Sequence, residues 1–194
     1  TFATYYKGQD LLLKAMAIAV GKGCDVHCDF IGEGKHRPEI EQLAAQLGLK
    51  NRTIFHGQFS SGKAVYDFLD KADLLVMSSR GEGLPRSVIE ALARGLPSIG
   101  TNVGGIPELL PPEDLFPLND PPQMAAKIME VVGNPARLAA MSARGLKIAA
   151  DYLEPKLRER RVMLYRNLRE ITETWQRRHG IGQRTTNREP AQAK

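Results

Sequence analysis

Residues 74–100 read LLVMSSRGEGLPRSVIEALARGLPSIG and place two strand-like runs on either side of a helical pattern. The apolar run of residues 74–77 is typical of a short buried strand, and a glycine-containing turn follows it directly. Residues 87–94 then repeat apolar side chains at helical spacing, and residues 98–100 form the next apolar run. A strand, a helix and a second strand in this order predict a parallel sheet.

The same alternation continues through the first 120 residues of the chain. Predicted strands cover residues 26–31, 53–56, 74–77, 98–100 and 115–116, and predicted helices cover residues 9–20, 38–47, 63–71, 87–94 and 106–110. This pattern predicts the fold class α/β, with a Rossmann-like parallel sheet and helices on both of its faces. In such sheets, ligands bind at the carboxyl ends of the strands.

The later part of the chain is helical only. The predicted helices there are residues 123–132, residues 135–150 and residues 155 to about 178. We therefore expect a Rossmann-like domain in residues 1–154 and a separate basic helix in residues 155–179. Residues 180–194 contain few groups to bury, so we expect a disordered tail there.

Charge and cysteine content exclude several classes of protein. The 194 residues carry a net charge of +5, but the residues from Pro155 onward hold 11 Lys/Arg and 4 Asp/Glu, against 16 and 18 before them. A nucleic-acid-binding core would carry its basic residues on the folded surface, so we expect no nucleic acid partner. Two cysteines, Cys24 and Cys28, cannot staple a fold of this size, which favours a cytoplasmic protein.

The sequence contains no pattern that predicts a membrane span. The longest nearly apolar run, residues 11–20, is interrupted by Lys14 and is shorter than the roughly 20 residues that a spanning helix needs. The first residues contain neither an initiator Met nor the basic and apolar regions of a signal peptide. We therefore expect the chain to be part of a longer protein.

Two short patterns suggest other chemistries and fail on particular residues. Cys24, His27 and Cys28 lie close together, but His27 belongs to the opposite strand face, so we expect no metal site. Gly32-Glu33-Gly34 begins like a dinucleotide-binding turn. The third glycine of that motif is replaced by Arg37, so the match to a dinucleotide-binding motif is incomplete.

Residues 57–64 have the spacing of a phosphate-binding P-loop between a strand and a helix. The last position of the motif needs a hydroxyl for magnesium and holds Ala64 instead. We interpret Ser60 or Ser61 as the cap of the following helix.

The turn after residues 74–77 has the features of a site for anions and sugars. Glycines allow the backbone to approach a ligand, and the start of the following helix exposes unpaired N–H groups that attract anions. Glu82 in the turn and Glu90 in the helix can face the same crevice, and a carboxylate accepts two hydrogen bonds from paired sugar hydroxyls. From these residues alone, two surface acids on an ordinary helix explain the pattern equally well.

A longer pattern around these acids resembles the donor-binding segment of retaining glycosyltransferases of family 4, which have the GT-B fold. The residues that carry the resemblance are Glu82-Gly83-Leu84, Glu90-Ala91, Gly95, Pro97 and Val103-Gly104-Gly105-Ile106-Pro107-Glu108. Weaker similarities are Lys7-Gly8, Gly32-x-Gly34, Phe55-x-Gly57 and Ala72-Asp73. The resemblance covers about residues 7–175 and implies the C-terminal, donor-side half of a GT-B enzyme.

The resemblance implies a role for each matching residue. Glu82 would contact the transferred sugar, Lys7 would neutralise the leaving diphosphate, and Glu90 would hold the ribose hydroxyls. The segment that would cradle the diphosphate is Gly83, Leu84, Pro85, Arg86 and Ser87, and the residues that would border the base of UDP or GDP are Gly32, Gly57 and Gln58. The implied reaction is retaining transfer of a hexose from a nucleotide-diphosphate sugar, in polysaccharide or glycolipid biosynthesis, without a metal or another cofactor.

One position departs from the family pattern. The family has an arginine five residues before its lysine, and here that position holds Phe2. We expect Arg86, at the start of the anion-binding helix, to replace that arginine. The alternative is an arginine that is solvated in the first turn of the helix.

The resemblance also implies an N-terminal acceptor domain as a partner, and it leaves three interpretations of the basic helix. An apolar stripe that includes Leu157, Leu164 and Leu168 can pack on the donor-binding domain or on the N-terminal domain. Attraction to an anionic membrane surface is the third interpretation and would make the protein membrane-peripheral. Two other functions stay open, namely a nucleotide-sugar-binding module without catalysis and an epimerase of the GT-B architecture.

Overall fold

The computed structural model of the protein describes residues 2–59 and 62–180. The helices in this part are α1 (Gln9–Gly21), α2 (Arg37–Gln46), α3 (Gly62–Leu69), α4 (Arg86–Ala93), α5 (Pro121–Val132), α6 (Pro135–Ala149) and α7 (Glu154–Arg178). The strands are β1 (Cys28–Ile31), β2 (Thr53–Gly57), β3 (Leu75–Met77), β4 (Ser98–Thr101) and β5 (Leu115–Phe116). Ser60 and Ser61, which the sequence suggests as helix caps, lie outside the described residues.

Every strand pair in the described residues is parallel, which confirms the predicted α/β class. β1 pairs with β2, and β4 lies between β3 and β5. The strands therefore form two ladders where the sequence predicts one sheet. The two ladders share one hydrophobic core, since Phe30 of β1, Ile99 of β4 and Phe116 of β5 belong to the same buried cluster. Side-chain burial connects the ladders in place of backbone hydrogen bonds.

The helices that cover the core pack against one another in a continuous series. α1 packs against α2 and α5, α5 packs against α6, and α6 packs against α4. All four residues of β4 are buried, as expected for the middle strand of a parallel sheet that is covered by helices. The loops that leave β3 and β4 at their carboxyl ends are thereby held on a rigid base.

Prolines and caps set several helix boundaries. The Asp120 carboxylate accepts a hydrogen bond from the Gln123 N–H at 2.9 Å and caps α5. The predicted helix at residues 106–110 is a single 3-10 turn, Ile106–Glu108. Pro111 disfavours helical backbone at the residue before it, so the turn does not extend into a longer helix.

The chain divides into two compact units, residues 1–151 and residues 152–194. The described part of the second unit is mainly α7, where the ion pairs Arg161–Glu154 and Arg169–Glu173 run along the helix. Most of its apolar side chains, including Leu164 and Leu168, are exposed, and the predicted packing partner of this helix stays a prediction. Of the predicted tail, residues 181–194 lie outside the described residues. No helix in the described part of the chain is both long and apolar enough to cross a membrane.

Candidate functional site

The loop that follows β3 brings together the two residues to which the resemblance gives catalytic roles. Glu82 lies in this loop with its side chain only 10% exposed. The Lys7 Nζ atom is 2.6 Å from Glu82 Oε1, and Ser79 Oγ donates to the same oxygen at 2.7 Å. The fold therefore pairs an ammonium group and a carboxylate that are 75 positions apart in the chain.

Lys7 reaches Glu82 because the chain before α1 lies directly against the loop after β3. Tyr5–Lys7 form a 3-10 turn, and Gly8 follows in the left-handed conformation with a φ of 65°. A Cβ atom at Gly8 would lie 2.0 Å from the carbonyl oxygen of Ser78. Ser78 Oγ also donates to the carbonyl oxygen of Lys7 at 3.0 Å. Only glycine fits this approach, which explains the Lys7-Gly8 pair in chemical terms.

A pair of glycines in the loop after β4 also supports the loop that carries Glu82. The loop after β4 contains Gly104 and Gly105, and a Cβ atom at Gly104 would lie 1.9 Å from the carbonyl oxygen of Glu82. The Gly105 N–H donates to the carbonyl oxygen of Gly83 at 3.1 Å. Thr101 Oγ1 adds a hydrogen bond of 2.6 Å to the carbonyl oxygen of Ser79. These contacts fix the backbone on both sides of the Glu82 side chain.

The start of α4, which follows Glu82 in the sequence, can bind an anion. Pro85 precedes the helix and gives it no side-chain cap, so the first N–H groups are open to a ligand. Arg86 and Ser87 are exposed, and the Arg86 side chain has no ion pair among the described residues. Glu90, one turn further along, is partly buried and likewise has no ion pair there. A ligand with several phosphate and hydroxyl oxygens would satisfy these groups.

The residues that the resemblance expects to border the nucleotide base lie together at the ends of β1 and β2. The Gly32 N–H donates to the carbonyl oxygen of Gly57 at 2.7 Å. Gly57 has a φ of 74°, and a Cβ atom there would lie 2.9 Å from Glu33 Oε1. Gln58 follows with an exposed side chain. The structure thus brings Gly32, Gly57 and Gln58 side by side, and their contact with a nucleotide base stays a prediction.

Sequence reasoning missed the ion pair that joins the two segments of the site. Arg80, two residues before Glu82, forms two hydrogen bonds with the Asp10 carboxylate, at 2.8 and 2.7 Å. Burial alone would raise the pKa of Asp10, but the hydrogen bonds and the charge of Arg80 outweigh it and hold that pKa below its usual value. The available signal was an acid in the first turn of α1 and a lone arginine in the loop, neither of which specifies a partner.

Phe2 occupies the position at which the family has an arginine. Phe2 is 1% exposed and packs against Phe30 and Phe55, so the position of the family's arginine is a core position here.

Burial raises the pKa of the Cys28 thiol to about 12, so the group stays a neutral thiol at physiological pH. Among the described residues, no group of three or more His, Cys, Asp or Glu side chains could hold a metal ion.

Comparison with known proteins identifies the family. A sequence model of the glycosyl transferases group 1 matches residues 3–148, which is most of the chain. The chain belongs to this family. In this member of the glycosyl transferases group 1, the matched region contains the Lys7–Glu82 pair, the contacts of Gly8 and Gly104, and the start of α4. The fold is that of the C-terminal domain of GT-B glycosyltransferases.

Individual relatives agree with this assignment and show its extent. The chain is 28% identical over 148 residues to a GDP-mannose-dependent monoacylated alpha-(1-6)-phosphatidylinositol monomannoside mannosyltransferase of Corynebacterium glutamicum, covering 72% of this chain and 38% of that protein. It matches the sucrose-phosphate synthase of Thermosynechococcus elongatus with a TM-score of 0.77 and 26% identity, covering 87% of this chain and 44% of that one.

A third likeness concerns a solved complex. The structure of the Anabaena protein HepE with UDP matches with a TM-score of 0.71 and 21% identity, covering 90% of this chain and 47% of that chain. At this identity the match shows the fold. The chain spans less than half the length of the curated relatives that it matches.

Proposed function

We propose that this chain binds a nucleotide-diphosphate sugar and presents its hexose for retaining transfer to an acceptor. The observation that carries the proposal is the Lys7–Glu82 pair, held at 2.6 Å, whose Glu82 lies in the loop that leads into the uncapped start of α4. A nucleotide-diphosphate sugar combines an anion, which suits Lys7 and the helix start, with vicinal hydroxyls, which suit a carboxylate. The ammonium group, the carboxylate and the helix start that these two chemistries need come from the turn before α1, the loop after β3 and the first turn of α4.

Each group then has one task toward the donor. The backbone of residues 83–87 binds the diphosphate, with N–H groups everywhere except at Pro85. Glu90 accepts hydrogen bonds from the ribose hydroxyls, and Glu82 accepts hydrogen bonds from the hexose. Arg86 supplies the second positive charge, which other members of the family have as an arginine at the position of Phe2. Its side chain is exposed and has no ion pair among the described residues.

The proposed reaction exchanges one bond at the anomeric carbon for another on the same face of the sugar. The bond from the anomeric carbon to the phosphate oxygen breaks, and the acceptor oxygen forms the new bond. The acceptor proton passes to the departing phosphate, which needs no metal and no protein base. Lys7 turns from Glu82 toward the diphosphate and stabilises its growing negative charge, which is the main electrostatic contribution of this chain.

The base and the acceptor enter at other places. Gly32, Gly57 and Gln58 form the rim for the base, and the names of the relatives allow both a uracil and a guanine nucleotide. An N-terminal domain would bring the acceptor, because the chain spans less than half of its relatives. We therefore expect this chain alone to bind the donor and not to transfer the sugar. We expect the protein to act in the cytoplasm, where nucleotide sugars are available.

Calorimetric titration with UDP, GDP, ADP and their sugar conjugates tests the proposal. We expect one nucleotide to bind, with the same affinity in EDTA, and Glu90→Gln to weaken that binding about tenfold through the loss of a charged acceptor. The matched control is Glu130→Gln, because Glu130 pairs with Lys127 on α5 and takes no part in the proposed site. If all six ligands fail to bind, or if both variants weaken binding equally, the proposed donor site is wrong.

A binding module without catalysis is the second candidate, and the partial coverage of the relatives favours it for this chain taken alone. Transfer assays distinguish it from a transferase half. Sugar transfer that appears when a GT-B acceptor domain is joined to this chain supports the transferase. Binding without transfer in the joined protein supports the module, and interconversion of the free nucleotide sugar would support an epimerase.

A further inference from the structure

The side chain of Arg80 joins three separate segments around the candidate site. Its Nη1 and Nη2 atoms donate to the two carboxylate oxygens of Asp10 at 2.8 and 2.7 Å. Nη1 also donates to the carbonyl oxygen of Tyr5 at 2.7 Å, and Nε donates to Asn119 Oδ1 at 3.2 Å. Four of the five N–H donors of the guanidinium group are used within the protein, so Arg80 has little capacity left for a ligand.

The partners of Arg80 lie on both sides of Lys7 in the sequence. Tyr5 is two residues before Lys7, and Asp10 is three residues after it, in the first turn of α1. Arg80 itself is two residues before Glu82, and its backbone N–H donates to the carbonyl oxygen of Tyr6 at 2.6 Å. Arg80 therefore contacts the chain on both sides of Lys7, through the backbone before it and through the Asp10 side chain after it, while it belongs to the loop that carries Glu82.

The pair is built to persist at neutral pH. The side chains of Arg80 and Asp10 are 27% and 18% exposed, so solvent screens them less than it screens a surface pair. The bidentate geometry uses the planar fork of arginine, which the single ammonium of lysine cannot reproduce. The Arg80–Asp10 pair thus fixes orientation as well as charge.

We propose that Arg80 is a positioning residue that acts through Lys7, holding the ammonium group of Lys7 beside Glu82 and ready for the donor diphosphate. This inference rests on the proposed donor-binding function. Arg80 touches neither the sugar nor the phosphates, and its contribution is the preorganisation of a charge that does. Loss of the fork lets the Tyr5–Lys7 turn move relative to the loop after β3.

The first experiment reports on the position of Lys7 without any ligand. Surface lysines are labelled with an amine-reactive reagent, and the rate at Lys7 is measured by mass spectrometry relative to Lys147. We expect Arg80→Lys to raise the relative rate at Lys7 about threefold or more, because the Lys7 side chain, now only 37% exposed beside Glu82, becomes more accessible to the reagent when the turn that carries it moves. Asp10→Asn should act in the same direction and serves as the second variant if Arg80→Lys folds poorly.

The matched control for labelling is Arg94→Lys. Arg94 forms a two-contact pair with Asp70, including a 2.6 Å bond from Nε, far along the chain from Lys7. The control should leave the relative rate at Lys7 unchanged. An unchanged rate in both Arg80→Lys and Asp10→Asn overturns the inference.

The second experiment is a double-mutant cycle with the nucleoside diphosphate among UDP, GDP and ADP that binds best. We expect Arg80→Lys to weaken binding about tenfold in the wild-type chain and less than about twofold in the Lys7→Ala chain, because Arg80 acts through Lys7. A merely structural role would weaken binding by the same factor in both backgrounds, and that additive result overturns the inference alone. A wild-type chain that binds none of the three overturns the proposed function, and the role of Arg80 with it.

Discussion

Two neighbouring loops of the site use glycine for opposite purposes. In the loop after β4, Gly104 and Gly105 lie against the backbone of Glu82 and Gly83, where added Cβ atoms would come within 1.9 and 2.5 Å of carbonyl oxygens. In the loop after β3, a Cβ atom at Gly81 would meet only the Tyr6 ring at 3.8 Å, and a Cβ atom at Gly83 would meet nothing within 4 Å.

This difference distinguishes glycines that the packing of the loops requires from a glycine that leaves room for a ligand. The glycines of the loop after β4 are required by the packing of the chain itself. Packing does not require Gly83, and the open space beside it lies at the start of α4, where we propose that the diphosphate binds. A glycine that the fold does not need, next to an open helix start, is what close approach of a ligand to the backbone would require.

Gly104→Ala is expected to give the largest effect. The new Cβ atom would collide with the Glu82 carbonyl oxygen, and the φ of 54° disfavours alanine as well. We expect the free energy of unfolding to fall by about 3 kcal/mol, measured by urea denaturation.

The control for this variant is Gly21→Ala at the end of α1, where a Cβ atom would meet nothing within 4 Å. We expect its stability to change by less than about 1 kcal/mol. If Gly104→Ala is as stable as Gly21→Ala, the support that we assign to the loop after β4 does not exist.

Gly83→Ala should separate stability from binding. Since the Cβ atom has room in the ligand-free chain, we expect the free energy of unfolding to stay within about 0.5 kcal/mol of wild type. The same atom would occupy space beside the proposed diphosphate, so we expect nucleotide binding to weaken about tenfold in calorimetry. Unchanged binding would mean that the loop after β3 does not receive the ligand.

The smallest expected effect is a change of stability with pH. It distinguishes the charged Arg80–Asp10 pair, which holds the loop after β3, from the uncharged packing contact of Gly104 in the loop after β4. Arg80 lowers the pKa of Asp10 in the folded state below its usual value of 3.8. The stabilisation by Asp10 is therefore complete above that usual value and is lost as the pH falls through the lowered folded pKa.

Urea denaturation of wild type and Asp10→Asn between pH 7 and strongly acidic pH measures this loss. We expect the stability difference between the two chains to be constant near neutral pH and to shrink in acid. The difference between wild type and Gly104→Ala should not shrink in this way, because a steric contact does not titrate. A constant Asp10→Asn difference at every pH would show that the Asp10–Arg80 pair does not stabilise the fold through charge.

Much of the scaffold could be predicted from particular residues. The predicted helices at residues 9–20 and 87–94 match α1 and α4 within about one residue at each end, because apolar spacing acts locally. Pro135 begins α6 with Asn134 as its cap, also through neighbouring residues alone. The predicted helix at residues 106–110 is wrong in its length, since Pro111 disfavours helical backbone at Leu110 and only a 3-10 turn forms at Ile106–Glu108.

The features of the site also divide into those set by neighbouring residues and those set by tertiary contacts. Sequence alone determined the order of strands and helices, the family pattern around Glu82 and Glu90, and the open start of α4, since each depends on residues that are neighbours in the chain. Only the tertiary structure decided that Lys7 pairs with Glu82, that Arg80 holds Asp10, and that the strands form two ladders over one core. These contacts join residues about 70 positions apart, and which loops meet depends on how the whole core packs.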